Sequence, residues 1–375
     1  MLGDLLRLAL IVSMGAELLA AQADVDKLPQ PQTLAFSEDA GVSIPEPLLF
    51  ASTAIRFAWQ GSVDKPGARS ITLRALVAEK GSGKWTLQVV NPTNQERVEL
   101  RSQDIESTPF EFWTVPMHSD HLKLTITGDP RRSRIQIDRC LVVRSPIQIE
   151  SIVGDDDRVP IHLVRDKPEY QWRSSVARLN IIEDRQQVSC TASLLTDELL
   201  LTNRHCFSLQ WKRMVAEFNA EEEPIGPVQS FEVKSVEALS RADDFAILRL
   251  KHKASGFAPG KVERFPRPVA LNTRMTIIQH PGGGLKKIIE KEHCVSAGRA
   301  FDDYFEHTCD VDEGSSGSPL LNELGLIVGL HRSGFPPGAE NGRNGATPMS
   351  RVFDVLETFA EGSPERKVLE EIRKR

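Results

Sequence analysis

Residues 312–319 of this 375-residue chain read Asp-Glu-Gly-Ser-Ser-Gly-Ser-Pro. Two serines between Gly314 and Gly317, closed by Pro319, are typical of a tight, exposed turn. Glycine adopts backbone angles that other residues avoid, so the N–H groups of such a turn can crowd around one oxygen atom. The turn would suit a nucleophilic serine beside an oxyanion hole, although loops of this composition are also common without any chemical role.

A histidine and a carboxylate that could serve such a serine occur earlier in the chain. Residues 199–206 read Leu-Leu-Leu-Thr-Asn-Arg-His-Cys, which places His205 at the end of an apolar strand. Asp243 and Asp244 directly precede the apolar run 245–250. A buried carboxylate at this point would accept a hydrogen bond from the histidine and fix its tautomer. Asp244, which abuts the strand, is the predicted partner, and Asp243 is the alternative.

The chain order of His205, Asp244 and Ser316 resembles that of chymotrypsin-like serine peptidases. The motifs Thr-Asn-Arg-His-Cys, Asp-Phe-Ala-Ile-Leu and Gly-Ser-Ser-Gly-Ser-Pro carry this resemblance. An α/β-hydrolase would place its serine first and would carry Gly-x-Ser-x-Gly, whereas Ser318 stands at the last position here. The resemblance also selects the second serine, Ser316, because Gly-Ser-Pro follows it as in the family.

Within this clan the chain is most similar to the bacterial glutamyl endopeptidases, over residues 151–360. The similarity includes residues 152–158 (Ile-Val-Gly-Asp-Asp-Asp-Arg), residues 278–282 (Ile-Gln-His-Pro-Gly) and residues 325–331 (Gly-Leu-Ile-Val-Gly-Leu-His). The first of these looks like the mature N-terminus of the family. Cleavage of the Glu150–Ser151 bond by the enzyme itself is therefore expected.

The resemblance implies a serine endopeptidase that acts on protein or peptide substrates through an acyl-enzyme, without a metal or a cofactor. Ser316 would attack the substrate carbonyl, His205 would act as the general base and Asp244 would orient the histidine. The backbone N–H groups of Gly314 and Ser316 would form the oxyanion hole. A peptidase-like binding protein that uses its N-terminal part is the alternative from another functional class.

The resemblance leaves two alternatives for the substrate pocket. His331 matches the histidine that binds the substrate acid in glutamyl endopeptidases, which implies Glu or Asp before the cleaved bond, and Ser333 is a further candidate in the pocket. Asp310 stands six residues before Ser316, where trypsin-like enzymes place the acid that binds Lys or Arg. Asp312 replaces a cysteine of the chymotrypsin type, so the frame of the pocket differs from that of trypsin.

The hydrophobic pattern predicts an all-β chain. Period-two alternation in short runs, such as 71–77 and 122–127, predicts a small β-sandwich-like domain over residues 48–145, a candidate pro-domain. Further short strands suggest antiparallel barrels, and the resemblance implies a chymotrypsin-like double β-barrel over residues 151–360. Residues 350–359 have helical spacing, and Ser363 with Pro364 would open a charged helical tail at 361–375.

The N-terminus predicts export. Residues 1–23 combine an apolar run with a small-residue cleavage site and are predicted to be a signal peptide, followed by a polar, Pro-rich linker at 24–47. No later apolar run has the length of a membrane span. The formal net charge of −6 gives no basic footprint for nucleic acid. The sequence thus predicts a secreted or periplasmic protein.

The cysteines fit that compartment. Cys190 and Cys206 are 16 residues apart and Cys294 and Cys309 are 15 apart, so each pair could close a short disulfide loop. The spacing of neither pair is that of a zinc site. Cys140 is left over and is predicted to be a buried free thiol.

Overall fold

The computed structural model describes residues 33–40, 42, 57–93, 95–130, 132–143, 150–183, 186–222, 228–334 and 342–375. The predicted signal peptide lies outside these residues, as do most of the predicted linker and the start of the predicted N-terminal domain. No helix within the described ranges is both long and apolar enough to cross a membrane.

The N-terminal part forms two facing sheets. Its strands are β1 (Thr33–Asp39), β2 (Phe57–Asp64), β3 (Ser70–Glu79), β4 (Trp85–Val90), β5 (Arg97–Arg101), β6 (Phe110–Trp113), β7 (His121–Gly128) and β8 (Arg134–Val143). One sheet has the order β2-β7-β4-β5 and the other contains β1-β8-β3-β6. Alternate side chains of β4, among them Trp85, Leu87 and Val89, are buried in a core shared with β3 and β7, as the period-two pattern predicts. The β-sandwich-like domain is confirmed.

A closed barrel follows. The next strands are β9 (Glu150–Ser151), β10 (Val159–Pro160), β11 (Val176–Ile182), β12 (Gln186–Leu194), β13 (Leu199–Thr202), β14 (Arg213–Phe218), β15 (Gln229–Ser240) and β16 (Phe245–Leu250). Six of these described strands pair in the order β11-β14-β15-β16-β13-β12, and β11 also pairs with β12, which closes the barrel. Every residue of β11 is buried, because one face lines the barrel core and the other is covered by the rest of the molecule.

The second barrel is a half-barrel that packs against the first. Its strands are β17 (Thr276–Gln279), β18 (Lys287–Ile289), β19 (Ser296–Ala300), β20 (Phe305–His307), β21 (Val311–Asp312), β22 (Pro319–Leu321), β23 (Ile327–Ser333) and β24 (Asn344–Pro348). The sheet order is β10-β18-β17-β22-β23-β24-β20-β19, and β21 pairs separately with β9. The predicted chymotrypsin-like double β-barrel is confirmed.

Two helices of the described chain end the fold, α1 (Met349–Thr358) and α2 (Pro364–Arg373). Ser363 caps α2 by accepting a hydrogen bond from the backbone N–H of Arg366, with Pro364 at the first helical position. Val368, Leu369 and Ile372 of α2 are buried in the same core as Leu356 of α1. The predicted charged helical tail is therefore helical, and its apolar side packs on the barrels.

A strand inside the predicted linker joins the two parts of the chain. Strand β1 pairs with β8 of the N-terminal sheet and with β12 of the barrel, so one described sheet of ten strands runs through both. The linker predicted for residues 24–47 is therefore wrong at 33–39. The polar, Pro-rich residues around this strand give no strand pattern, and its partners lie 100 residues or more away in sequence.

Candidate active site

His205 lies where β13 ends, in a short 3-10 turn at Arg204–Cys206. A disulfide between Cys206 and Cys190 of β12 holds this turn against the barrel. The Nδ1 atom of His205 is 2.7 Å from Oδ2 of Asp244, and the backbone N–H of His205 donates to Oδ1 of Asp244 at 2.9 Å. A carboxylate can only accept, so Nδ1 carries the proton and the lone pair of Nε2 faces the other way.

Asp244, and not Asp243, is the partner of His205. Asp244 is 0% exposed and has a left-handed backbone with φ +49°, a conformation that aspartate tolerates better than most residues. The carboxylate of Asp243 instead accepts hydrogen bonds from the Ser240 hydroxyl at 2.6 Å and from Nε of Arg351 at 2.7 Å. Asp243 therefore bonds to other residues and not to His205.

Ser316 completes the line of hydrogen bonds. Its Oγ is 3.0 Å from Nε2 of His205, and the residue is half-buried. The neighbouring Ser315 is fully buried, and its hydroxyl donates to Oε1 of Gln279 at 2.5 Å. The structure therefore brings His205, Asp244 and Ser316 together and points Ser315 into the second barrel.

Both glycines of the turn are required by its close packing. Gly314 has φ +89° and Gly317 has φ +87°, and both angles lie in the left-handed region. A Cβ on Gly314 would stand 2.6 Å from the nitrogen of Gly283, and one on Gly317 would stand 2.0 Å from the oxygen of Thr191. These are backbone atoms that cannot move aside, so no larger residue fits at either position.

The carbonyl groups of the turn are fixed by surrounding residues. Thr191 donates from its backbone N–H to the oxygen of Ser316 at 2.8 Å and from its hydroxyl to the oxygen of Gly314 at 2.9 Å. Gly282 donates its N–H to the oxygen of Glu313. Among the described residues, the N–H groups of Gly314 and Ser316 have no acceptor, as donors reserved for a substrate oxygen would require. Their role as the oxyanion hole stays a prediction.

Asp310 is not a free acid at the base of a pocket. It is 1% exposed, and its two carboxylate oxygens accept the backbone N–H groups of Val153 at 2.7 Å and of Asp157 at 2.8 Å. Burial raises the pKa of Asp310, and the nearby acids Asp157 and Asp156 raise it further. The expected role of Asp310 as a ligand for a Lys or Arg side chain does not fit this structure, because the segment 153–157 already occupies both oxygens.

His331 lies on β23, beside the turn of residues 314–317 that carries Ser316. Its backbone N–H donates to the oxygen of Ser318 and its oxygen accepts the N–H of Gly317, so strand and turn are held in register. The ring is 2% exposed, and Nδ1 lies 3.1 Å from Nε2 of His307. Burial lowers the pKa of His331 well below its usual value, and the neighbouring His307 and His205 lower it further.

His307 is a residue of this site that sequence reasoning missed. It stands on β20, which in the described sheet is joined to β23 through β24, and no motif marks it. Its position two residues before Cys309 is the one sequence signal that could have placed it near the site. Ser333 is half-buried farther along β23, and its hydroxyl lies over Gly345, where a Cβ would come within 2.5 Å of Oγ.

Residues 190–330 match the family model of the trypsin-like peptidase domain. The match supports a serine endopeptidase, a hydrolase, as the sequence predicts. It does not separate the glutamyl endopeptidases from other peptidases with this domain. No curated protein sequence matches the chain.

Several solved structures of proteases resemble the peptidase domain. A Glu endopeptidase in complex with MPD is 19% identical, over 56% of this chain and 100% of its own, with a TM-score of 0.45. The serine endoprotease from Yersinia pestis is 15% identical, over 51% of this chain and 66% of its own, with a TM-score of 0.42. A scabies mite inactivated protease paralogue is 15% identical, over 50% of this chain and 96% of its own, with a TM-score of 0.40. At these identities and TM-scores, the likenesses carry no activity or substrate over to this chain.

The ligand atoms of Cys190, Cys206 and His205 in the peptidase domain lie within 4.8 Å of one another. Both sulfurs belong to a disulfide, and a metal ligand would have to be a thiolate. The second predicted disulfide, Cys294–Cys309, is also formed, and Cys140 is a buried free thiol as predicted. Burial raises the pKa of that thiol to about 11, which keeps it protonated and unreactive at neutral pH.

Because the peptidase domain contains buried histidines, we expect its folded state to lose stability in acid. Burial lowers the pKa of His307 to about 3, whereas an unfolded histidine titrates near pH 6.5. The unfolded chain therefore binds a proton that the folded chain does not, between about pH 6.5 and 3, and the folded state loses stability as the pH falls through this window. Between pH 7 and 5, we expect His307 alone to lower the free energy of unfolding by about 2 kcal/mol.

Guanidinium unfolding of the wild type and of His307→Gln at pH 7 and pH 5 measures this contribution. The variant removes the titrating group and should lose about 2 kcal/mol less than the wild type between the two pH values. His121→Gln is the control, because His121 is a partly exposed histidine of the N-terminal domain that pairs with Asp64. Equal losses in the wild type and in His307→Gln would contradict the prediction.

Proposed function

We propose that this chain is an endopeptidase whose nucleophile is Ser316, with His205 as the general base and Asp244 as the group that orients it. One observation carries the proposal. A line of hydrogen bonds runs from Asp244 Oδ2 to His205 Nδ1, at 2.7 Å, and from His205 Nε2 to Ser316 Oγ, at 3.0 Å. In this geometry the unprotonated Nε2 faces the hydroxyl whose proton it must accept.

The reaction follows from these distances. As Oγ of Ser316 bonds to the substrate carbonyl carbon, its proton moves to Nε2 of His205, and the carbonyl oxygen becomes an oxyanion. The N–H groups of Gly314 and Ser316 would stabilise that oxyanion. His205 then gives the proton to the leaving amine, the peptide bond breaks and an acyl-enzyme remains. Water then attacks the carbonyl carbon of the acyl-enzyme while His205 takes one of its protons. His205 returns that proton to Oγ of Ser316, the ester bond breaks and the acid product leaves.

Preference for Glu or Asp before the cleaved bond is the second part of the proposal. It is supported by His331, which lies against the nucleophile turn and has the buried His307 behind it. A substrate carboxylate would receive a hydrogen bond from this imidazole in surroundings that exclude water, where such bonds are strong. The engagement of Asp310 with segment 153–157 argues against Lys or Arg at the same position.

Substitution of His331 tests this preference. In His331→Leu we expect kcat/KM for a peptide with Glu before the cut to fall about 10- to 100-fold, because leucine cannot donate the hydrogen bond to the charged group. The same peptide with Gln in place of Glu should change little, so the ratio of the two substrates collapses. His252→Leu is the control, because His252 is an exposed histidine that follows β16 at the end away from Asp244. A wild type that prefers Lys or Arg, or a ratio unchanged in His331→Leu, would contradict acidic specificity.

Export to an oxidising compartment is also part of the proposal. The disulfides Cys190–Cys206 and Cys294–Cys309 of the described chain support it, since disulfides persist outside the cytosol. The apolar residues 5–21 support it from the sequence.

Cleavage of the Glu150–Ser151 bond remains a proposal. This pair forms β9 beside Val311 and Asp312 of β21, and Ser151 is buried. The oxygen of Ser151 accepts a hydrogen bond from Nδ2 of Asn344 at 3.3 Å. A protease needs its substrate bond exposed, so β9 would have to leave β21 before the bond is cut.

A further inference from the structure

The N-terminal domain is in direct contact with the first barrel. Strand β1 continues the sheet from one to the other, and the hydroxyl of Thr72 donates to Oε1 of Gln187 at 2.9 Å in a buried position. Trp113 and Leu141 of the domain pack on Ile182 of β11. A domain joined by a shared sheet, a buried hydrogen bond and apolar packing has the character of a permanent part of the fold.

A single arginine of β11 connects this interface to the peptidase. Arg178 is 6% exposed, and its Nε and Nη2 donate to Oε2 of Glu217 at 2.9 and 2.8 Å. Its Nη2 also lies 2.6 Å from Nε2 of His118, a residue of the N-terminal domain. A guanidinium group can only donate, so Nε2 of His118 is the acceptor. The remaining nitrogen, Nη1, donates to the oxygen of Gly283 at 3.1 Å.

Gly283 belongs to the loop that supports the nucleophile turn. This loop, residues 281–284, lies close to Gly314. A Cβ added to Gly314 would stand 2.6 Å from the nitrogen of Gly283 and 3.3 Å from that of Gly282. Gly282 also donates its N–H to the oxygen of Glu313, which fixes the plane of the peptide unit that carries the N–H of Gly314. A shift of the loop would therefore turn this N–H.

His118 itself is anchored within its own domain. Its backbone oxygen accepts a hydrogen bond from Nδ2 of Asn91 at 2.9 Å, and it lies between β6 and β7. Without an acceptor at His118, one N–H of Arg178 would be left buried and unpaired, a state costly enough to displace the guanidinium or admit water. The bond to Gly283 would then weaken.

We propose that the N-terminal domain is a positioning module of the mature enzyme and that His118 is its contact with the oxyanion hole. His118 holds Arg178, Arg178 holds the loop 281–284, and the loop holds the N–H of Gly314 toward the substrate oxygen. This inference rests on the proposed function and goes beyond it, because it assigns a role in turnover to a domain that the sequence marks as a candidate pro-domain.

Kinetics of the full-length chain test the inference. In His118→Leu we expect kcat to fall about tenfold with KM within twofold, since an oxyanion donor acts on the transition state and only part of its effect is lost. His118→Gln should retain most of kcat, because its amide oxygen can accept the same hydrogen bond. A peptide aldehyde, whose bound adduct places an oxygen in the oxyanion hole, should bind about tenfold more weakly to His118→Leu and nearly normally to His118→Gln.

Arg213→Met is the matched control, since Nη1 of Arg213 donates to the oxygen of Trp113 across the same interface, and its other side-chain contacts, with Glu232 and Phe112, do not lead to the loop. It should lower stability slightly and leave kcat unchanged. Wild-type kcat in His118→Leu, or an equal loss in Arg213→Met, would overturn the inference while leaving the proposed function intact. A folded wild type that cleaves no peptide would overturn the proposed function and this inference with it.

Discussion

Replacement of Ser316 by alanine is expected to lower kcat for peptide hydrolysis by about a million-fold. The substitution removes the oxygen that forms the acyl-enzyme. The variant can then hydrolyse a peptide only by direct attack of water, which the binding site assists weakly. Stability should change little, because Ser316 is half-buried and its hydroxyl bonds only to His205 among the described residues. The measurement is kcat on a fluorogenic peptide, together with the unfolding midpoint of each protein.

Ser315→Ala is the matched control for that prediction. It makes the same change one residue earlier and removes two buried hydrogen bonds, the one that Ser315 donates to Gln279 and the one that it accepts from the N–H of Asp312, which should cost about 2 kcal/mol of stability. Its kcat should stay within tenfold of wild type, far above that of Ser316→Ala. Comparable losses in the two variants would place the nucleophile elsewhere.

Asp244→Asn should lower kcat by about ten-thousand-fold. An amide in place of the carboxylate can donate to Nδ1 of His205, which moves the ring proton to Nε2. Nε2 then has no lone pair to take the proton of Ser316, although the distances stay nearly the same. The backbone N–H of His205 can still find an oxygen on Asn, so the loop should keep its position.

The neighbouring acid provides the comparison for Asp244. Asp243→Asn weakens contacts with Ser240 and Arg351 and touches neither His205 nor Ser316. We expect its kcat to remain near that of the wild type. If Asp243→Asn were the more damaging of the two, the assignment of Asp244 would be wrong. The measurement is kcat for both variants at one pH, with circular dichroism to confirm that each has folded.

The strands that the sequence predicts well are those with an uninterrupted local pattern. Alternation in Trp85–Val90 and the apolar runs at Leu199–Thr202 and Phe245–Leu250 coincide with β4, β13 and β16. Strand β24, Asn344–Pro348, has the composition of a turn because it contains glycine and proline. It is extended because β20 and β23 pair on its two sides, a constraint that no local window contains.

Short motifs predict the residues of the candidate triad because each residue stands in or beside a turn that the neighbouring sequence encodes. His205 follows a strand, Asp244 directly precedes one, and Ser316 stands between glycines whose positive φ angles the turn requires. Asp310 is different, since its neighbours in sequence cannot show that segment 153–157 lies over it. His307 was missed for the same reason, as it meets His331 only through the sheet order of the second barrel.

The contact between the domains could not be predicted at all. His118 and Arg178 are 60 residues apart and belong to no motif, and their pairing depends on how the sandwich sits on the barrel. Strand β1, which ties the two together, is a short run within a Pro-rich segment. Long-range docking of this kind leaves no periodic signal in the sequence.

Labelling of the full-length chain with a fluorophosphonate probe, followed by mass spectrometry of its peptides, tests the central claim most directly. The probe bonds to a serine only when a base activates its hydroxyl. We predict a single adduct on Ser316 in the wild type and in Ser315→Ala, none in Ser316→Ala, and greatly slowed labelling in Asp244→Asn. A folded wild type that takes up no probe, as a peptidase-like binding protein would, or an adduct on another serine, would contradict it.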